Sequence, residues 1–229
     1  MLEVKQRQGR AVTRAEQRTD GMYFYTEAGI LRLAPQSDRI IRVMYTAGSE
    51  FTEEYGIGIV YRPEAVSWSA EETEEAYLVK TAEITAEVNK QTSSIRYLNA
   101  EGRLLLAEKQ RESRILEEFD SYRMVIDENT KVDLVETPDG VKRIIREATK
   151  EFDRKLYHTR LFLDWQEDEA LFGLGQAEGG ILNLRGTTQY IHQANLKIGI
   201  PMLLSTKGYG ILLASGSPAV FNDTQYGSY

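Results

Sequence analysis

Ser94-Ile95-Arg96-Tyr97, then Leu98-Asn99-Ala100-Glu101-Gly102-Arg103, then Leu104-Leu105-Leu106-Ala107 is the stretch whose reading decides the fold. Two apolar-rich runs of strand length flank a short connection that contains Asn and Gly, residues that accept the backbone of a tight reversal. The pattern recurs twice. Thr137-Pro138-Asp139-Gly140 separates Val132–Glu136 from Val141–Ile145, and Ser205-Thr206-Lys207-Gly208 separates Ile200–Leu204 from Tyr209–Ala214. Outward from these hairpins, Glu83-Ile84-Thr85-Ala86-Glu87-Val88 alternates polar and apolar, as a half-buried strand does. Arg39-Ile40-Ile41-Arg42-Val43-Met44-Tyr45 and Thr159-Arg160-Leu161-Phe162-Leu163 are rich in β-branched and bulky residues. Short connections between recurring strands predict a mainly β chain, an antiparallel sandwich or barrel with one continuous core.

Charged stretches interrupt the pattern. Residues 107–119 fit either an exposed helix, with Ile115, Leu116 and Phe119 on a narrow apolar face, or a charged strand and loop, and the neighbouring hairpins favour the second. Glu71-Glu72-Thr73-Glu74-Glu75 reads as a solvated acidic loop, because consecutive carboxylates do not converge on one cation. No Gly/Ser/Pro-rich linker or internal repeat divides the chain, so residues 1–229 are expected to form a single domain.

Composition narrows the chemistry. The chain has 229 residues and no cysteine, which excludes a disulfide scaffold, thiolate metal sites and cysteine nucleophiles. Lys and Arg number 28 against 35 Asp and Glu, a net charge of −7 that is unfavourable for nucleic-acid backbones and anionic membranes. No run reaches the roughly 18 apolar residues of a spanning helix. The amino terminus lacks an apolar leader core, so the expected location is cytoplasmic.

Histidine is confined to His158 and His192, neither at metal-ligand spacing. His158 reads as a surface or sheet-edge residue of the strand Leu156–Leu163. Gly173-Leu174-Gly175-Gln176-Ala177-Glu178 opens like a dinucleotide fingerprint but lacks the third glycine and the βαβ setting. Neither a metal nor a cofactor is expected. Asp153, Asp164, Glu167, Asp168, Glu169 and Glu178 offer many carboxylates, but nothing marks a catalytic pair, and most read as solvated charges.

The densest stretch runs from Leu171 to Leu213: Phe172-Gly173-Leu174-Gly175-Gln176, Leu182-Asn183-Leu184-Arg185-Gly186-Thr187-Thr188, Asn195, Ile200-Pro201-Met202-Leu203-Leu204-Ser205 and Lys207-Gly208-Tyr209-Gly210-Ile211-Leu212-Leu213. In this order the segments resemble the amino-terminal domain of glycoside hydrolase family 31, the α-glucosidase and α-xylosidase family. Ile40-Ile41-Arg42-Val43 and the Ser94–Leu105 hairpin resemble that family's earlier strands. The resemblance implies a large antiparallel β-sandwich like galactose mutarotase, beside a catalytic (β/α)8 barrel expected after residue 229.

Further implications follow from the resemblance alone. The family's two catalytic aspartates lie on the barrel, so this chain would carry no catalytic residue and would not cleave glycosides by itself. It would be the non-catalytic domain of a retaining α-glycosidase, with the barrel and an α-linked oligosaccharide or glycoside as partners. The loop matching Arg185, Gly186, Thr187 and Thr188 would help wall the sugar pocket. Two departures stand out: Gln176 replaces the usual Glu, and Gly186 stands where many members have Asp. Arg185 could equally be structural, bonding loop carbonyls. Phe172, Tyr190 and Tyr209 read as core aromatics rather than sugar platforms, and the glycines around residues 183–190 suggest a mobile loop. Two other classes compete: a freestanding sugar epimerase on the same sandwich, needing a placed histidine and glutamate, and a carbohydrate-binding module, needing exposed aromatics. A surface left for the barrel would be apolar and prone to self-association.

Overall fold

The computed structural model describes residues 10–51, 59–60, 66–126, 130–224 and 227–228. Among these there is no helix, and the strands pair antiparallel wherever their register is defined. The chain forms two compact units, one from the residues up to Arg114 and from Leu161 onward, the other from Ile115–Arg160.

The larger unit begins with a four-stranded meander, β1 (Arg14–Arg18), β2 (Gly21–Thr26), β3 (Gly29–Ser37) and β4 (Ile40–Thr46). A second meander follows: β5 (Ser69–Glu72), β6 (Ala76–Lys80), β7 (Ile84–Asn89), β8 (Ile95–Asn99) and β9 (Leu104–Glu108). Period two sorts their side chains. Met22, Phe24, Leu31 and Leu33 from the first sheet interlock with Val79, Ala86, Val88 and Ile95 from the second in one buried cluster. The β8–β9 hairpin forms as its sequence predicts: the Asn99 side-chain carbonyl accepts the amides of Glu101 (3.1 Å) and Arg103 (2.8 Å), closing the turn from within. At the end of β9, Glu108 is buried, with Arg114 and the Ile95 amide (3.0 Å) bonded to its carboxylate. Burial pushes that carboxyl above the usual range, and the Arg114 charge opposes the shift.

The carboxy-terminal half adds β14 (Leu163–Asp164), which joins the second sheet beside β9, then β15 (Leu171–Gln176), β16 (Thr188–Ile191), β17 (Ile198–Ser205), β18 (Gly210–Leu212), β19 (Ala219–Thr224) and β20 (Gly227–Ser228). These last six form two three-stranded sheets, β15-β17-β18 and β16-β19-β20. Leu171, Leu184, Ile191, Leu203 and Phe221 make a second buried cluster. The single continuous core expected from sequence is therefore two clusters, one for each pair of sheets.

The smaller unit is a two-stranded ribbon. β10 (Arg114–Val125) pairs with β13 (Thr149–Leu161), and β11 (Lys131–Thr137) pairs with β12 (Gly140–Glu147) around the Pro138-Asp139 turn. Val132 opposes Ile145 and Leu134 opposes Arg143, so one face mixes apolar and charged groups. Phe119 stacks on His158 with ring centroids 4.2 Å apart, and Arg123 bonds Glu151 at 3.0 Å. Residues 114–119 are strand, the second of the two readings left open by the sequence.

Candidate functional site

The segment Phe172-Gly173-Leu174-Gly175-Gln176 is where β15 crosses β17 at closest range. The register runs Leu171 to Ser205, Phe172 to Leu204 and Gly173 to Leu203, then shifts before Gly175 meets Gly199. Gly173, Leu174 and Gly175 have φ of +108°, +61° and +95°. A Cβ on Gly173 would lie 2.3 Å from the Met202 carbonyl oxygen, and one on Gly175 would lie 1.9 Å from that of Ile198. Both glycines are therefore demanded by the backbone of the opposite strand, and they serve a bulge rather than a phosphate. Between them Leu174 takes a left-handed conformation that costs about 1–2 kcal/mol, offset by its packing on the second cluster.

That bulge delivers the chain into the loop of residues 183–188. The Asn183 side-chain carbonyl accepts the amides of Leu171 (3.1 Å) and Arg185 (3.2 Å), and the Leu184 amide bonds the Leu171 carbonyl (2.8 Å). Arg185 turns toward the fold. Its Nε donates to Asp223 Oδ2 (2.8 Å), and one Nη donates to the carbonyls of Gln166 and Glu169, both at 2.9 Å. The same Asp223 oxygen accepts the Gly186 amide (2.9 Å), the Asp223 amide bonds the Thr187 carbonyl (2.9 Å), and Thr188 donates to the Asn222 side chain (2.7 Å). Arg185, Gly186, Thr187 and Thr188 thus share one turn, with Gly186 and Thr188 exposed and Arg185 and Thr187 partly buried. The glycine content suggests mobility, yet hydrogen bonds from β15, β19 and the 166–169 turn pin the loop.

A second carboxylate sits beneath it. Glu169, read from sequence as one of many solvated charges, is only 4% exposed. It accepts from the Gln166 amide (2.8 Å), the Ser205 hydroxyl and the Tyr209 phenol. Burial, then the bond to Glu169 and its charge, hold the Tyr209 phenol protonated well above the usual tyrosine range. Neither Glu169 nor Asp223 is recognisable in the sequence as buried, because, the Gln166 amide apart, the groups bonded to their carboxylates lie 36–40 and 37–38 positions away.

Tyr190 overturns its reading as a core aromatic: it is 63% exposed. Period two explains this, since Ile191 is committed to the second cluster and its neighbour must face outward. The outward face of β15-β17-β18 is apolar as well. The register places Phe172 beside Leu204 and Met202 beside Leu212, and Ile198 and Ile200 extend the row along β17. Ile198, Ile200, Leu204 and Leu212 are each about half exposed. Contiguous apolar area of this kind marks a surface that packs on something else. A cleft of about 40 Å³ lies beside the bulge, between Gln176, Tyr190, His192 and Lys197. That is far below the roughly 300–1,000 Å³ that encloses a small-molecule ligand. His192 is exposed at its rim, and His158 stays on the ribbon.

Residues 30–222 match the model of the glycosyl hydrolase 31 N-terminal galactose mutarotase-like domain. The chain belongs to that family. Among curated relatives, an uncharacterized family 31 glucosidase of Pseudescherichia vulneris is 25% identical over 81% of this chain and 33% of its own length. An α-xylosidase of Saccharolobus solfataricus is 30% identical over 41% of this chain and 15% of its own length. The family 31 domain described here therefore spans a third or less of these relatives. Of solved structures, the Xanthomonas citri GH31 α-xylosidase superposes with a TM-score of 0.67 at 21% identity, over 89% of this chain and 19% of that one. The Flavobacterium johnsoniae GH31 dextranase gives a TM-score of 0.67 at 16% identity, over 95% of this chain and 24% of that one. These likenesses agree with a mainly β, galactose mutarotase-like sandwich: the hairpins predict the antiparallel β class, and the family resemblance implies the mutarotase-like form.

Proposed function

We propose that this family 31 N-terminal domain is the non-catalytic part of a retaining α-glycosidase. It docks the apolar face of β15-β17-β18 on a catalytic barrel of the same polypeptide and presents the loop of residues 183–188 to the sugar pocket. The observation that supports the reading is that one pair of sheets carries both an apolar outward face and, anchored by its buried cluster, a hydrogen-bonded loop too open to enclose a ligand alone. Loop presentation of this kind gives orientation rather than chemistry: Thr188 and the exposed backbone at Gly186 offer polar groups on a rigid base. The family's sugar chemistry, and the glycosidase names of the relatives, support an α-linked glucoside or xyloside as substrate. Bond cleavage would fall to carboxylates outside this chain.

The test uses the parent polypeptide. Ile200→Asp with Leu204→Asp should lower kcat/KM about tenfold or more by loosening the interface, while the isolated domain carrying both changes still melts cooperatively. Unchanged kinetics in the double variant would remove the docking assignment. Hydrolysis of a nitrophenyl α-glycoside by the 229-residue chain alone, persisting through repurification, would remove the non-catalytic one.

A further inference from the structure

The outward face of the β1–β4 sheet carries a feature the family 31 reading does not use. The cross-strand register sets Arg14 opposite Tyr25 and Glu16 opposite Tyr23, then Tyr23 opposite Arg32 and Tyr25 opposite Ile30, so these side chains share one face. The core-facing partners, Met22, Phe24, Leu31 and Leu33, take the other. Chain following β4 folds back over the rim, and Phe51 meets Tyr23 edge-on with centroids 5.9 Å apart. Between these walls lies a cleft of about 240 Å³, bounded by Arg18, Tyr25 and Ile30 on the sheet and by Ser49, Glu50 and Phe51 opposite.

The polar groups of the cleft are held in place. Arg18 grips Glu16 with Nε and Nη2 at 2.8 and 3.2 Å, and Nη2 also reaches the Tyr25 hydroxyl at 2.9 Å. Tyr25 donates to Glu16 at 3.0 Å. Below them, Tyr23 donates to Asp20 at 2.8 Å, and Asp20 pairs with the buried Arg32 at 2.6 Å. The hydrogen bond to Arg18 draws the Glu16 carboxyl below its usual range, and Arg14 also pairs with it at 3.3 Å, so one carboxylate serves two guanidiniums.

We propose that this cleft is a carbohydrate-binding subsite taking one neutral pyranose ring, separate from the loop at residues 183–188. Three features choose that ligand class. Phe51 and Ile30 supply the apolar surface on which the C–H face of a sugar packs, beside a Tyr25 ring that already carries the Arg14 guanidinium 3.8 Å from its centroid. Arg18 donates, Glu50 accepts and Ser49 does both, which suits hydroxyls that each donate and accept. Arg14 and Arg18 share Glu16, Arg32 pairs with Asp20, and Glu50 adds a third carboxylate to the lining, so the three guanidiniums and three carboxylates balance and neither an anion nor a cation is favoured. The volume lies just below the roughly 300–1,000 Å³ of enclosing sites, which suits a single exposed ring of a longer chain. This site does not depend on the loop reading, because it lies on another sheet.

The experiment is an amide-shift titration of the ¹⁵N-labelled 229-residue chain with methyl α-D-glucopyranoside and methyl α-D-xylopyranoside. Inorganic phosphate and spermidine serve as charged probes. Saturable shifts should centre on Arg18, Tyr25 and residues 49–51, with a Kd on the order of millimolar, as a small ligand on an open site allows. Phe51→Ala should weaken binding about tenfold. Glu50→Ala, at an exposed position outside the strands, should weaken it about threefold and guards against a folding defect in the first variant. Tighter saturation by phosphate or spermidine, saturation unaffected by both substitutions, or no saturation by either glycoside overturns the subsite. Shifts confined to residues 183–190 would do the same while supporting the loop reading, so the two proposals fail separately.

Discussion

Arg185→Ala separates a residue that holds the fold from one that only touches sugar. The substitution removes an ion pair to Asp223, whose side chain is 10% exposed, and two bonds to the carbonyls of Gln166 and Glu169. Breaking a buried pair by deleting one partner costs about 3–5 kcal/mol, because the remaining charge is stranded. Two facts pull the value toward the lower end: the Arg185 side chain is 28% exposed, and Asp223 keeps its bond from the Gly186 amide. A loss of about 3 kcal/mol results. At about 2–4 °C per kcal/mol for a chain of this size, the melting temperature should fall by about 6–12 °C. Far-UV circular dichroism during thermal unfolding reads it directly. A drop of less than about 2 °C would refute the reasoning, since the clamp would then contribute nothing beyond a surface ion pair. In the parent enzyme, weakened kcat/KM should accompany the lower stability, because the clamp also sets where Gly186 and Thr188 stand.

Three further outcomes follow from the same geometry. Gly175→Ala should unfold the carboxy-terminal sheets or cost about 3 kcal/mol or more, read by urea denaturation, because its Cβ would overlap the Ile198 carbonyl at a φ that disfavours side chains. In an alkaline titration followed by tyrosinate absorbance, Tyr209 should stay protonated in the folded chain beyond the ordinary value near 10. Its folded value is raised, so this contribution to stability is complete below pH 10 and is lost as pH climbs through that higher value; Tyr209→Phe should remove this share of the dependence and leave that of Tyr97, whose phenol burial also pushes up. The isolated domain should self-associate at high concentration through the face of Ile198, Ile200, Leu204 and Leu212. Sedimentation velocity should show Ile200→Lys shifting it to monomer, and a wild-type chain monomeric at every concentration would rule that face out as adhesive.

What the sequence shows follows the range of the interactions involved. The hairpins at Asn99–Arg103, Pro138–Gly140 and Ser205–Gly208 are legible because a turn is specified by residues within four positions of one another. The glycines of the Gly173–Gly175 bulge are visible as a motif, but their cause, the carbonyls of Met202 and Ile198, becomes visible only once β17 is in place. Glu169 and Asp223 are ordinary carboxylates until folding surrounds them. Residues 114–119 read ambiguously because burial does not alternate along them: Arg114, Ile115, Leu116 and Phe119 are partly buried and Glu117 and Glu118 exposed, which erases the period-two pattern of a half-buried strand. Tyr190 is misread for the opposite reason: aromatic identity points inward, while its place in the pleat points outward. Of the loop, sequence marks which residues lie together and leaves open which way Arg185 turns.

The way the ribbon is joined to the larger unit bears on how such domains diversify. On the larger unit's side of the junction, the Phe162 amide bonds the Ser113 carbonyl (2.8 Å) and the Lys109 amide bonds the Phe162 carbonyl (3.0 Å). The chain therefore departs and returns through neighbouring backbone positions, already zipped together. Among the described residues, the ribbon strands β10 to β13 pair only with one another. Because the entropy of closing a loop grows only logarithmically with its length, a splice at this seam exchanges a short turn for an arm, or for an entire inserted module, at nearly constant thermodynamic cost. The seam is thus a place where chain can be lengthened or shortened at a small cost in closure entropy.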